Sequence, residues 1–319
     1  MRFKSIFRFR NRDGKGVEKG EDTRPTLKNF FKQFWRKLSH LLSLNILMLF
    51  QVLPIVIAVV AFFLTKKTPS QTSAIFAPLY GASLIEPSAT SSLWLALEAL
   101  PLNIPIYAPS AYWIIAVCAV FLILTIGWQS VGSSYVLRGL VRGDAVFVFS
   151  DYFHAIKRNL KQGFLFGLID SLLIITLVID ILYYSQMVGA FWTDAVFWLV
   201  SAMALLYLFM RPYMYMMLIT FDMKIKKMFK NALIFTALGI KRNLMALLGI
   251  VLLLVFHFAL IVILIPYGII IPVIVPVVYI FAAIGFIVSY AIYPVIDRYM
   301  IAPYQMKHDE ENDQSQENP

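Results

Sequence analysis

Six continuous apolar runs, at 41–64, 112–136, 164–183, 195–217, 244–266 and 272–294, divide the chain, and polar residues gather between them. Each run is close to the ~20 residues that carry a helix across ~30 Å of hydrocarbon. The runs are unbroken rather than alternating in polarity, so helices are expected and not the strands of a barrel. The predicted fold is all-α, a polytopic membrane bundle of six transmembrane helices.

A second, helical period precedes every odd-numbered run. Leu27, Phe30, Phe31, Phe34, Leu38 and Leu41 share one face, and Lys28, Lys32, Arg36 and Lys37 lie off it. Before the third run, Phe149, Phe153, Ile156 and Leu160 recur at helical spacing, with Lys157, Arg158 and Lys161 near the far end. Before the fifth, Ile225, Met228, Phe229 and Ala232 form a face, with Lys224, Lys227 and Lys230 off it and Asp222 placed to cap the start. Basic amphipathic helices of this kind suit a membrane surface. Ile156–Leu160 and Ile240–Leu244 both read IKRNL, and Trp35-Arg36-Lys37-Leu38 is a looser version. The chain thus reads as three units, each a surface helix, a span out and a span back, and the repeats are parallel.

Composition excludes a soluble domain. Hydrophobic residues make up 60% of the chain and charged residues 14%, against about a quarter charged in soluble proteins. Mean hydropathy is +0.75. The net charge of +10 is unevenly placed: twelve of the 28 Lys/Arg fall in 1–40, five in 138–161 and six in 224–242. By the positive-inside rule both basic linkers and both termini are expected on the cytoplasmic side. Topology and attraction to anionic lipid account for this charge, so no nucleic-acid partner is expected. The expected organisation is a flexible basic tail over 1–25, a membrane domain over 26–304 and an acidic disordered tail over 305–319. Within the domain, 65–111 is expected as a long external loop, with 91–99 as a short surface helix.

No catalytic pattern is present: HExxH, GxSxG, P-loop and GxGxxG are all missing, and the four histidines have no paired spacing. With one cysteine, Cys118, no disulfide or cysteine metal site forms within the chain. Catalytic, cofactor and metal residues are therefore none, and a non-enzymatic protein is expected. The informative residues are charges at membrane depth, which are costly and are paired or functional. Asp170 lies nine residues after Lys161, about 13 Å along a helix. Arg211 lies eleven before Asp222, at a similar depth from the same side, so the two are expected to meet inside the bundle. His257 reads as a core residue bonded to a backbone carbonyl, and Asp180 as a group near water. The aromatic and methionine run at 207–217 reads as packing. Gly127, Ser130, Gly132 and Ser134 mark one end of the second span as a close helix contact.

The two linkers resemble the YesL-type family of bacterial membrane proteins, a domain of unknown function. The matching residues are Gly132, Tyr135, Val136, Val141-Arg142-Gly143-Asp144, Phe149-Ser150-Asp151-Tyr152-Phe153, Ala155, Lys157 and Asn159. In the second linker they are Thr220-Phe221-Asp222, Lys226 and Lys230-Asn231-Ala232. The similarity runs from about the first span to the sixth. The longer basic N-terminus, the 65–111 loop and the acidic tail depart from the family pattern. The resemblance implies a bacterial cytoplasmic membrane and genes neighbouring carbohydrate-uptake transporters of the ATP-binding-cassette type. The expectation is then an accessory or regulatory membrane protein that docks a permease or sensor. Arg142, Asp144, Asp151, Phe153, Lys157, Asn159, Asp222, Lys226, Lys230, Asn231, Lys241, Arg242 and Asn243 are the candidate docking or helix-start residues. Two alternatives stay open: a small-solute transporter with Asp170, Arg211 and His257 along its path, and a structural protein binding anionic lipid.

Overall fold

A computed structural model of the chain describes residues 25–64, 109–187, 189 and 191–303. Among them the regular structure is helical and no strand occurs. Nine α-helices follow in order: α1 Leu27–Arg36, α2 Leu38–Leu64, α3 Pro109–Arg142, α4 Val148–Arg158, α5 Leu160–Ser185, α6 Phe191–Thr220, α7 Ile225–Leu238, α8 Ile240–Leu264 and α9 Ile271–Ile296. Six of them, α2, α3, α5, α6, α8 and α9, are long and apolar enough to cross a membrane. The chain is a polytopic helical bundle. The tails at 1–24 and 304–319, and the loop at 65–108 with its 91–99 segment, lie outside the described residues.

The spans run longer than the apolar patterning predicts. α3 has 34 residues, about 51 Å at 1.5 Å per residue, so its last turns, with Arg138 and Arg142, overshoot a ~30 Å slab. It begins at Pro109, inside what reads as loop, and Gly143 closes it in a left-handed turn at φ 83°. The expected boundaries stop where hydropathy falls, whereas the backbone ladder continues as long as packing supports it.

Each short helix is separated from the span it precedes by one residue outside either helix, Lys37, Asn159 or Gly239. The two IKRNL copies, however, are not equivalent. The first straddles the break at Asn159, as Trp35–Leu38 straddles Lys37, but the second lies wholly within α8, one helical turn later. Gly239 occupies the second break, where a Cβ would sit 2.9 Å from the Phe235 carbonyl oxygen and against the Tyr213 hydroxyl. Both motif asparagines still serve the break. The Asn159 amide donates to the Ala155 carbonyl at 2.9 Å, and that of Asn243 donates to the Thr236 carbonyl at 3.2 Å.

Packing follows the three units. The return spans α3, α6 and α9 touch one another pairwise. α2 packs on α3 and α9, and α5 packs on α6 and α3, so these two outgoing spans touch both their own return span and that of the preceding unit. α8 keeps α9 but makes little contact with α6. The short helices obey the same rule: α4 rests on α3, α7 on α6, and α1 reaches α9 through the Phe30 ring, tilted against Phe286 and edge-on to Tyr290.

The core lies at the end that carries the basic linkers. Tyr213 to Ile219 of α6 pack with Phe166, Met228, Phe235 and Ile292, and Leu41, Leu44 and Leu140 pack with Tyr152 and Phe286. The opposite halves present Phe63, Trp113, Trp192, Trp198 and Phe258 outward, as a lipid-facing surface with an interfacial aromatic belt would. Fully buried Asn45 ties α2 to α9: its amide donates to the Val277 carbonyl at 2.8 Å, and its oxygen accepts from the Ala282 N–H at 3.1 Å. Asn45→Leu leaves both backbone groups without that partner, so it is expected to cost about 2 kcal/mol. Thermal unfolding in detergent, followed by thiol labelling of buried Cys118, measures the loss.

Candidate functional site

The site begins with a close backbone crossing. α3 and α5 meet at Gly127 and Gly167, where a Cβ on Gly127 would lie 2.7 Å from the Gly167 Cα. Three residues further along each helix stand Ser130 and Asp170. α6 supplies Tyr207, Arg211 and Tyr215, spaced by four and so on one face. Three helices thereby converge on one carboxylate.

Asp170 has none of its side chain exposed. Arg211 Nε donates to both carboxylate oxygens, at 3.0 Å and 2.9 Å. The Tyr207 hydroxyl donates to Oδ1 at 2.7 Å and the Tyr215 hydroxyl to Oδ2 at 2.6 Å. Each oxygen thus receives two hydrogen bonds, from donors on α6. Arg211 Nη2 donates to Ser130 Oγ at 3.1 Å, and the guanidinium carbon lies 5.1 Å from the Tyr215 ring centroid. Charge-assisted bonds of this length are the strong kind, and a carboxylate at this depth needs them. The structure brings Asp170 and Arg211 together, well inside the 6 Å that separates a pair from two independent charges. Patterning alone did not point to Tyr207, Tyr215 and Ser130 as partners, although the spacing of Tyr207, Arg211 and Tyr215 carries that signal.

His257 stands apart. Its Nδ1 lies 2.7 Å from the Leu253 carbonyl, and Tyr279 Oη lies 2.7 Å from Nε2. The Tyr279 hydroxyl donating to Nε2 and Nδ1–H donating to the carbonyl account for both contacts, an assignment made from the partners. These partners belong to α8 and α9, whereas the Asp170 group draws on α3, α5 and α6. Asp170, Arg211 and His257, the residues of the transport alternative, are therefore not assembled into one cluster. Asp180 is half-buried, and no group of three His, Cys, Asp or Glu that could hold a metal occurs among the described residues.

The linker residues sort into helix-end contacts and exposed groups. Arg142 and Asp144 form a half-exposed pair at 3.4 Å. Asp151 reaches back to the Phe147 N–H at 2.8 Å, holding the start of α4. Asp222 does not cap α7: the helix starts at Ile225 after Lys224, and Asp222 is exposed two residues earlier. The Thr-Phe-Asp run is still finishing α6 there, with Arg138 donating to Thr220 Oγ1 at 2.8 Å. Lys226, Lys230 and Lys241 are exposed, Asn231 and Arg242 half-buried. Asn243 is buried and also accepts from the Tyr213 hydroxyl at 3.0 Å.

The face of α4 that packs is not the one its phenylalanines trace. Val148, Tyr152 and Ala155 are buried, with the Tyr152 ring against Gly132 and its hydroxyl donating to Gln129. Burial pushes the Tyr152 phenol above its ordinary range. Phe149 and Phe153 remain 52% and 51% exposed. With Ser150, His154 and Lys157 they line an open depression of about 460 Å³. α4 thus has two apolar faces, and tertiary contact uses the one containing a tyrosine.

Residues 106–181 match the family described as "Protein of unknown function, DUF624". That stretch runs through α3 and α4 and most of α5, so it includes Gly127, Ser130, Gly167 and Asp170, together with the exposed face of α4. No curated protein and no solved structure matches the chain.

Proposed function

We propose that the protein is a non-enzymatic accessory or regulatory component of a bacterial cytoplasmic membrane, docking the membrane portion of a carbohydrate-uptake transporter. The observation that carries this reading is the exposed face of α4. A helix held against the bundle through Tyr152 presents Phe149 and Phe153 outward beside His154 and Lys157. Arg158 and Lys161 extend the positive charge of the same rim. Such a surface suits a partner segment that is apolar and acidic at headgroup level. The Asp170 carboxylate, by contrast, has its acceptors filled from within, which favours a structural role over solute passage. The distribution of Lys and Arg supports a cytoplasmic position for α4, and the YesL-type resemblance supports the link to sugar uptake.

The test is in-cell photocrosslinking from Phe153, with Val251 on the outward face of α8 as the control position. In cells grown on polysaccharide, Phe153 is expected to capture a transporter permease, and Phe149→Glu to reduce the adduct tenfold or more. Equal labelling from both positions, or no adduct at Phe153, overturns the reading.

A further inference from the structure

The same arginine that closes Asp170 has a second, open side. A guanidinium carries five N–H donors. Arg211 uses Nε on Asp170 and one hydrogen of Nη2 on Ser130. No other described residue accepts from it, so both hydrogens of Nη1 and the second of Nη2 remain. Donors on Nη1 and Nη2 suit a carboxylate or phosphate group. Asp170 is wholly covered, whereas 29% of the Arg211 side chain is exposed. The arginine is therefore the member of the pair with surface left for a further group. Free donors at membrane depth are costly, which makes an uncommitted fork there a feature needing a partner.

α3 brings further polar groups to the same contact. Ser130, Ser134 and Arg138 are spaced by four and share one face. Ser130 touches Arg211 and Arg138 touches Thr220, both on α6, so Ser134 faces the α3–α6 seam between them. Ser134 is half-buried and its hydroxyl has no partner among the described residues. Arg138 lies one turn, about 6 Å, nearer the basic end than Ser134 and close to Arg158, since both guanidinium groups reach the Ile219 carbonyl. Ser134 thus lies on the α3 face between Arg211 and the basic pair Arg138 and Arg158.

We propose that Arg211 and Ser134 form a binding site for an oxyanion, a carboxylate or phosphate group, at the contact between α3 and α6. Asp170 and its tyrosines hold the arginine in place, Ser134 donates to the bound group, and Arg138 offsets the added negative charge. The chemistry fits either a free anion or the headgroup phosphate of an anionic lipid.

The experiment uses the full chain in two arms. In detergent, inorganic phosphate is titrated at constant ionic strength against chloride, with Cys118 labelling reporting the thermal midpoint. In nanodiscs, phosphatidylcholine alone is compared with phosphatidylcholine containing phosphatidylglycerol. A saturable rise with phosphate identifies a free anion, and a rise confined to phosphatidylglycerol identifies a lipid headgroup. Ser134→Leu leaves the Asp170–Arg211 pair in place and is expected to weaken the response tenfold or more. Should that variant fail to fold, Arg211→Lys, which keeps the charge but loses the fork, is expected to weaken it equally. No saturable rise in either arm, or a response unchanged in the folded variant, overturns the site.

Discussion

Asp170→Asn is expected to lower the thermal midpoint of the protein more than any other single polar substitution in the bundle. The carboxylate accepts from Arg211, Tyr207 and Tyr215 and is fully buried. Asparagine keeps the volume but removes the charge, leaving a guanidinium at membrane depth without its counter-ion. Breaking a buried pair from one side costs about 3–5 kcal/mol, whereas replacing both partners by apolar groups of similar size is often close to neutral. Asp170→Leu combined with Arg211→Met is therefore expected to recover most of the stability that Asp170→Asn loses. Both are read by Cys118 labelling during thermal unfolding in detergent. A double variant less stable than the single one would mean that the ion pair contributes net stability, and that its role is more than mutual neutralisation.

The charge pair was legible because few residues competed for it. Asp170 and Arg211 lie at matching depths in helices joined by a short turn, and each must find a partner there. The six spans were legible for the same reason: a continuous apolar run has one stable solution in lipid. What patterning missed depends on which of two adequate faces is used. The phenylalanines of α4 trace a face as apolar as the one that packs, and the choice turned on Gly132 opening a notch for the Tyr152 ring. Asp222 has the chemistry of a cap, but α6 continues to Thr220 and leaves it short of the next helix. Asn45 shares an apolar run with Ser43 and Gln51, and only the position of α9 gives it a donor and an acceptor to serve. Local sequence dictates which groups require partners, and the assembled helices decide which partners they meet.

The site also depends on the threefold plan of the bundle. α5 belongs to the outer ring, yet Asp170 must reach donors on α6 and come within a turn of Ser130 on α3. That is possible because α5 packs into the groove between two return spans. α8, which lacks contact of that extent with α6, carries its own buried polar residue, His257, and pairs it only within its own unit. The second unit therefore assembles the charged site because its outgoing span is seated against two return spans.

Gly167→Ala is the second substitution with a large expected effect, and it tests that seating. A Cβ at Gly167 would stand 2.7 Å from the Gly127 backbone nitrogen and closer still to its Cα. The obstacle is backbone, so no side-chain rotation relieves it and α5 must move away from α3. Overpacking of this kind costs about 1–3 kcal/mol, despite the ~1 kcal/mol by which alanine is otherwise favoured over glycine in a helix. Gly249→Ala on α8 supplies the contrast, since its Cβ would meet only the Ile287 side chain, at an ordinary 3.5 Å. That variant is expected to be neutral or slightly stabilising, and the sign difference between the two is measured by Cys118 labelling. Because Asp170 lies one turn beyond Gly167, the displacement should also loosen its bonds to α6. Asp170→Asn is then expected to cost less in the Gly167→Ala background than alone, by about 1 kcal/mol, the size of coupling seen between groups in one network. Strict additivity would separate the glycine crossing from the ion pair and remove the crossing as the cause of the site's geometry.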